Sequence, residues 1–316
     1  MNRVDVSVEN YLGWPNTYRL GNGLVEVRIV TDVGPRIIDL HTAGGANLLH
    51  LHEPPGGTNE PTYKFRGGWR LWVAPERTAT TYALDNEHCE VQRSADGIVV
   101  SAPPQPQAGI QKRVAIRLTP GVPRVSIEST IRNVTDHVLT YAAWSLPMLA
   151  PGGRAFVPLD VGPPDAFEAT RKLILWSYTR VADPRYRFGD RLLRIDHWRV
   201  AAPPAGQSGR RDDESKIGSD SAQGWVAYLL DRTLLVKRFP HPPGAYPDGG
   251  ATIEVYSNHD FLELEHLGPL TTIGPGEAIT FPEEWWLFTG VAVPEDEAGA
   301  LAALHGLLGS TEPRSH

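Results

Sequence analysis

Glu263 and Glu265 are separated by a single leucine in the run Phe261-Leu262-Glu263-Leu264-Glu265-His266-Leu267. If this run is a strand, Leu262 and Leu264 point to one face and bury together, while both carboxylates project from the other. Same-face residues of a strand stand roughly 6–7 Å apart at the backbone. At that separation each carboxylate raises the other's pKa, and the pair can hold one proton near neutrality. That is a setting for general acid–base work, although the same pattern on a solvated sheet face would carry no chemistry. His259 and His266 flank the pair. His259 is placed to serve as acid or base, whereas His266 falls on the leucine face and reads as a core residue.

The segment Gly67-Gly68-Trp69-Arg70-Leu71-Trp72-Val73-Ala74-Pro75-Glu76 is the second unusual composition. Paired glycines allow a tight entry, after which two tryptophans and Arg70 follow on extended chain. The face of Trp72 would stack on the apolar C–H side of a sugar ring, and the fork of Arg70 would bind hydroxyls or a carboxylate. The alternative is core tryptophan with a structural arginine. The 9 Trp and 10 Tyr exceed what a core requires. Trp144, Trp176, Tyr178, Trp225, Trp285 and Trp286 are therefore expected to be shared between core and a ligand trough. Lys237 leads through a proline-rich loop to Asp248, near the start of the strand that carries Glu254, and Tyr178 is followed by Asp183-Pro184-Arg185-Tyr186. Each of these alone reads as a turn with surface charge. Convergence on one cleft would make them a site.

His50 and His52 share a strand face at the i, i+2 spacing of a metal-chelating pair, but no acidic or histidine cluster nearby completes a ligand set. Cys89 is the only cysteine, so it can form neither an internal disulfide nor a cysteine-based zinc cluster and reads as a core residue. The chain lacks a P-loop, G-x-G-x-x-G, G-x-S-x-G and H-E-x-x-H. Nucleotide, serine-hydrolase and zinc-protease chemistry have no support, and neither metal nor cofactor is expected.

The elements that must position these residues are strands. Residues 24–30, 113–118, 123–129 and 251–256 alternate polar and apolar side chains, and Gly-Asn, Asp-Gly, Pro-Gly and Gly-Gly pairs punctuate them. Such a rhythm predicts an all-β antiparallel sandwich or barrel, since parallel strands would need helical crossovers. A single helix is predicted after Pro294, with Ala298, Leu301, Leu304 and Leu308 at helical spacing and Gly309 positioned to stop it. Residues 201–220 carry Pro, Gly, Ser and mixed charge and read as a mobile surface insertion, with a second loop over 52–61. Strand rhythm resumes on both sides of each, so a single domain over 1–316 is expected.

With 316 residues, 41% hydrophobic and 21% charged, the chain can bury a substantial core. The net charge of -7 is spread along the chain without blocks, which argues against a nucleic-acid partner. No apolar run approaches the roughly 20 residues of a membrane span, and the N-terminus lacks the apolar core of a signal peptide, so a cytoplasmic location is the default.

The segments Gly67 to Trp72, Trp144 to Gly153 (W-S-L-P-M-L-A-P-G-G), Asp183 to Tyr186, Gly224 to Phe239 and Phe261 to Leu270 (F-L-E-L-E-H-L-G-P-L) together resemble a bacterial family of uncharacterised function, DUF4380. That family is similar in fold to galactose mutarotase, which implies an antiparallel β-supersandwich with one short C-terminal helix and a carbohydrate cleft on its concave face. Glu254-Val255-Tyr256-Ser257-Asn258 followed by Leu264-Glu265-His266-Leu267-Gly268-Pro269 is also similar to the Q-x-Y-T-G-N and L-E-T-Q-x-x-P strands of aldose 1-epimerases. The match implies that Glu265 stands at the general base, which takes the anomeric hydroxyl proton, and that Glu254 replaces a glutamine. The epimerase acid histidine in N-H-x-Y-F has no counterpart in Tyr141-Ala142-Ala143-Trp144-Ser145, and the family's G-G-H-R-L-W reads Gly67-Gly68-Trp69-Arg70 at its start. His259, Tyr178 or Lys237 would have to act as the acid.

The expected ligand is therefore a sugar or sugar derivative. Glu265 would act as base with Glu263 tuning it, and Arg70, Trp72, Tyr178, Arg185, Lys237, Asp248 and Glu254 would bind substrate. The alternative is a sugar-binding module without turnover. A third reading is an isomerase or lyase acting on an acidic sugar clamped by Arg70 and Lys237.

Overall fold

The computed structural model describes residues 3–52, 57–58, 60–165, 167–199 and 213–311. The alternating segments form two large sheets, antiparallel throughout. The first is ordered Asp5–Tyr11, Trp14–Gly21, Val25–Val30, Arg36–Thr42, Trp69–Ala74, Leu139–Leu149, Leu262–Leu267, Ile253–Ser257, Ser215–Ser219, Leu173–Leu175, with Thr271–Ile273 also pairing with Leu139–Leu149. The second is ordered Tyr186–Phe188, Leu192–Asp196, Arg154–Pro158, Trp225–Leu230, Thr233–Arg238, Ala278–Phe288, Arg124–Asn133, Ile110–Leu118, Gly97–Ser101, Glu90–Arg93.

Alternation sets what each sheet buries. Val27, Ile29, Leu40 and Leu71 of the first sheet share one apolar core with Val114, Ile127, Leu235 and Leu287 of the second, so the molecule is an all-β sandwich of the kind expected. The helix Glu297–Gly309 is held by Asp296, whose side chain accepts from the Gly299 amide at 2.8 Å. It packs Ala300, Leu301 and Leu304 on Phe156, Trp225 and Trp286, covering the other face of the second sheet. Gly309 does not stop it: the glycine is the last helical residue, and Ser310 closes the end in a right-handed conformation. Among the described residues no helix is long and apolar enough to cross a membrane.

The expected insertion over 201–220 is corrected at its C-terminal end. Ser215–Ser219 is a buried strand paired on both sides, with Ile253–Ser257 and Leu173–Leu175. Its polar composition is compatible with burial because the Lys216 ammonium meets buried carboxylates there. Residues 201–212 lie outside the described residues, as do 53–56 and 59 of the predicted loop over 52–61.

Gly67 and Gly68 make the tight entry expected of them. Both have positive φ, and a Cβ would stand 2.3 Å from the His50 carbonyl oxygen at Gly67 and 2.2 Å from that of Ile37 at Gly68. Only glycine lets the chain pass so close to its neighbours and deliver Arg70 and Trp72 to the sheet.

Candidate functional site

One face of the first sheet looks across the core at the second; its other face forms the floor of a cavity of about 950 Å³. Period-two alternation selects the floor. On Leu139–Leu149, Trp144, Leu146 and Met148 line the cavity while Ser145 points into the sandwich. On Trp69–Ala74, Arg70 and Trp72 line it while Trp69 faces inward and donates to the Ser145 hydroxyl. Tyr256, Glu263 and Lys216 come from the next three strands, with Tyr256 paired to Glu263 on one side and Lys216 on the other. Phe65, Tyr82, Trp176, Tyr178 and Phe261 rise from loops as walls, and Glu76, Glu214, Ser177, Asn258 and His52 complete the lining.

Two ion-pair groups define the floor. Arg70 Nη2 donates to Glu263 Oε1 at 2.8 Å, and its guanidinium carbon lies 4.0 Å from the centre of the Trp72 ring. Lys216 Nζ stands 2.6 Å from Glu254 Oε2 and 3.1 Å from Glu265 Oε2, while the Trp144 indole N–H donates to the same Glu265 oxygen at 2.7 Å. The ammonium is also 4.8 Å from the ring centres of both Trp144 and Trp176. Glu254 and Glu265 are direct cross-strand partners and both are 0% exposed.

Burial would strip the Lys216 proton, but Glu265 and Glu254 more than reverse this and hold its pKa above the ordinary range. Burial lifts both carboxyls against the pull of Lys216, Glu254 well above its usual value. Two buried carboxyls thus face one cation, and burial biases both towards the protonated form, Glu254 more strongly. Burial also raises the Tyr178 and Tyr256 phenols, which remain O–H groups, and lowers the His52 imidazole, which is neutral at pH 7.

The predicted residues divide into three groups. Arg70, Trp72, Tyr178 and Glu263 line the cavity. Glu265 and Glu254 lie beneath it, reaching it through Lys216 and Trp144. Trp72 is 4% exposed with one ring face covered by Arg70, so it supports the wall and does not offer an open stacking platform.

The third group lies elsewhere. Lys237 belongs to the second sheet and points between the layers, 2.9 Å from the Leu264 carbonyl oxygen and 3.7 Å from Glu283. Arg185 is buried against Asp183 and donates to the carbonyl and hydroxyl of Ser257 at 2.9 and 2.7 Å. Asp248 occupies a turn at φ 52°. His259 is bound by Asp213 at 2.6 Å and Asp260 at 3.2 Å. The pair His50 and His52 packs on Phe261, and no group of three or more metal-ligating side chains occurs among the described residues. His266 is buried, as its face implied, and stacks between Phe239 and Phe281.

Lys216 is the residue that sequence reasoning missed. Its signal was the alternation Ser215-Lys216-Ile217-Gly218-Ser219, masked by the charged run before it. Glu76, Phe65, Tyr82, Tyr256 and Phe261 were likewise not singled out; they come together only through loop and strand pairing.

No family model and no curated protein matches the chain, so the likeness to the uncharacterised bacterial family remains one of motifs. Solved structures do match. A galactose mutarotase-like protein from Clostridium acetobutylicum is 10% identical with a TM-score of 0.56, covering 92% of this chain and 100% of that one. Another from Lactobacillus casei is 11% identical with a TM-score of 0.54, covering 86% and 100%. The Slr1438 protein from Synechocystis is 15% identical with a TM-score of 0.54, covering 86% and 96%. At these identities the likeness concerns architecture: the chain has the galactose mutarotase-like β-sandwich fold.

Proposed function

We propose that the chain binds a sugar or sugar derivative in the cavity on the first sheet. The observation that carries this reading is the combination of aromatic walls and paired charges on the floor. Phe65, Trp176 and Tyr178 offer faces to the C–H side of a pyranose, and the Arg70–Glu263 pair and the Lys216 ammonium offer donors and acceptors to its hydroxyls. The volume of about 950 Å³ admits a mono- or disaccharide. The test is a thermal-shift and saturation-transfer NMR panel of neutral aldoses, oligosaccharides and uronic acids. A ligand at 100 times its Kd adds about 2.7 kcal/mol, and Trp176→Ala should abolish the shift. No stabilisation by any sugar would overturn the proposal.

A second reading, anomer interconversion, is favoured by the two carboxyls of Glu254 and Glu265, both biased towards protonation, on one Lys216 ammonium. A base and an acid can then be drawn from this group, with Tyr178 and His52 of the cavity lining as further donors. In this reading Glu265, whose Oε1 has no hydrogen-bond partner among the described residues, takes the anomeric proton from beneath the floor once Lys216 or Trp144 moves aside to admit the substrate. Exchange spectroscopy between anomers should show acceleration that Glu265→Gln removes. Unchanged exchange for every aldose that binds would leave a binding protein without turnover.

A further inference from the structure

Pro147 lies inside one of the central strands of the first sheet, flanked by the strands of Arg70 and Glu263. Proline brings no N–H to a ladder, which is why it is normally confined to edges and bulges. The direction of the missing bond follows from the neighbours. The Met148 amide donates to the Gly68 carbonyl at 2.9 Å, so even-numbered residues bond towards Trp69–Ala74. The Gly268 amide donates to the Ala143 carbonyl at 2.9 Å, so odd-numbered residues bond towards Leu262–Leu267. In the register that pairs Ser145 with His266 and Met148 with Glu263, Pro147 stands opposite Leu264. The Leu264 carbonyl therefore faces a position with no donor.

A donor arrives from the other sheet. Lys237 Nζ lies 2.9 Å from the Leu264 carbonyl oxygen and is 0% exposed. Its charge is balanced by Glu283 at 3.7 Å, whose carboxylate accepts from the Trp285 indole at 2.6 Å and the Ser145 hydroxyl at 2.8 Å. A buried carbonyl without a partner and a buried ammonium without one are each costly, and here each satisfies the other.

We infer that Lys237 is a positioning residue for the cavity floor: its ammonium replaces the N–H that Pro147 cannot give, and so holds the peptide between Glu263 and Glu265 in place. Leu264 is the residue that separates these two carboxylates, so the spacing on which the floor depends is fixed from behind, by the second sheet. The inference does not rest on sugar binding, and its readouts need no ligand.

The experiment is a double-mutant cycle between Lys237→Met and Pro147→Ala, read by urea denaturation and by carbon-13 NMR of the glutamate side-chain carboxyls. Alanine at 147 restores an N–H aimed at the Leu264 carbonyl. Lys237→Met alone should lower the urea midpoint and move the Glu263 and Glu265 carboxyl signals. In the Pro147→Ala background the same change should cost less, the part that remains being the Glu283 carboxylate left without its cation in both backgrounds, and both signals should stay near those of Pro147→Ala alone. If Lys237→Met alone fails to fold, the same cycle is read in a Glu283→Gln background, in which no carboxylate is stranded. Equal losses in the two backgrounds, or carboxyl signals that stay put when Lys237 is removed, would overturn the inference.

Discussion

Replacing Lys216 with methionine tests the electrostatics of the floor. The variant keeps an unbranched stem of similar length but leaves Glu254 and Glu265, both 0% exposed, facing each other without a cation. Breaking a buried ion pair by removing one partner costs about 3–5 kcal/mol. Much of that cost is avoidable, because a carboxyl can neutralise itself by holding a proton. Without the cation, the folded variant must hold at least one proton more than the folded wild type. A carboxyl whose folded pKa exceeds its unfolded value contributes stability below the unfolded pKa, and that contribution is lost as pH rises through the folded one. Each extra proton held by the folded state makes stability fall by about 1.4 kcal/mol per pH unit. Between pH 5.5 and 7.5 the destabilisation caused by Lys216→Met should therefore grow by about 3 kcal/mol. Urea denaturation of both proteins across that range measures it directly. A constant difference at all pH values would refute the coupling of Lys216 to the two carboxyls, whatever the size of that difference.

Three further perturbations address the residues that position the site. Arg185→Met should cost about 3–5 kcal/mol by stranding Asp183, while changing sugar affinity far less; an affinity loss without a stability loss in denaturation and calorimetry would return Arg185 to the binding site. Gly67→Ala places a methyl 2.3 Å from the His50 carbonyl oxygen at φ 79° and should cost at least about 2 kcal/mol; an unchanged melting temperature would contradict the close approach. Burial lowers the Lys237 pKa from 10.5 to about 8, so between these values the unfolded chain binds more protons and wild-type stability should rise with pH. Relative to Lys237→Met the gain by pH 10 should be about 3 kcal/mol, and parallel stability profiles in urea would refute it.

The legible part of the molecule was whatever depends on local period. Strand alternation identified the all-β class, placed Glu263 and Glu265 on one face and Leu262, Leu264 and His266 on the other, and the glycine pair announced a close backbone approach. Pairing between distant strands was not legible. Lys237 and Lys216 show why: both lie on strands, and both are buried lysines beside glutamates. One belongs to the second sheet and serves the interlayer, while the other belongs to the first and serves the floor. Their residue type is identical, and only the sheet order separates them. Arg185 lies away from the cavity for a similar reason, since its guanidinium is engaged by Asp183 two positions earlier.

The charge balance of the floor bears on which sugar it takes. Arg70 and Lys216 face three carboxyls, Glu263, Glu265 and Glu254. Burial favours the protonated form of Glu254, so the two cations are already matched by the carboxyls around them. Glu76 and Glu214 also belong to the lining, and among the described residues Arg70 and Lys216 are its only lysine or arginine side chains. A uronate would then bring a carboxylate to cations already committed to glutamates, and the nearest carboxyls would oppose it. A neutral aldose needs no such compensation. Affinity for a neutral sugar should therefore exceed that for its uronic acid counterpart by at least about tenfold at pH 7.5, or about 1.4 kcal/mol. The gap should narrow as pH falls and carboxyls take up protons. Calorimetric titration of glucose-type and glucuronate-type ligands at two pH values decides the matter. Tighter binding of the uronate at pH 7.5 would mean that Arg70 or Lys216 is released from its glutamate on binding, and would favour an acidic-sugar substrate over a neutral one.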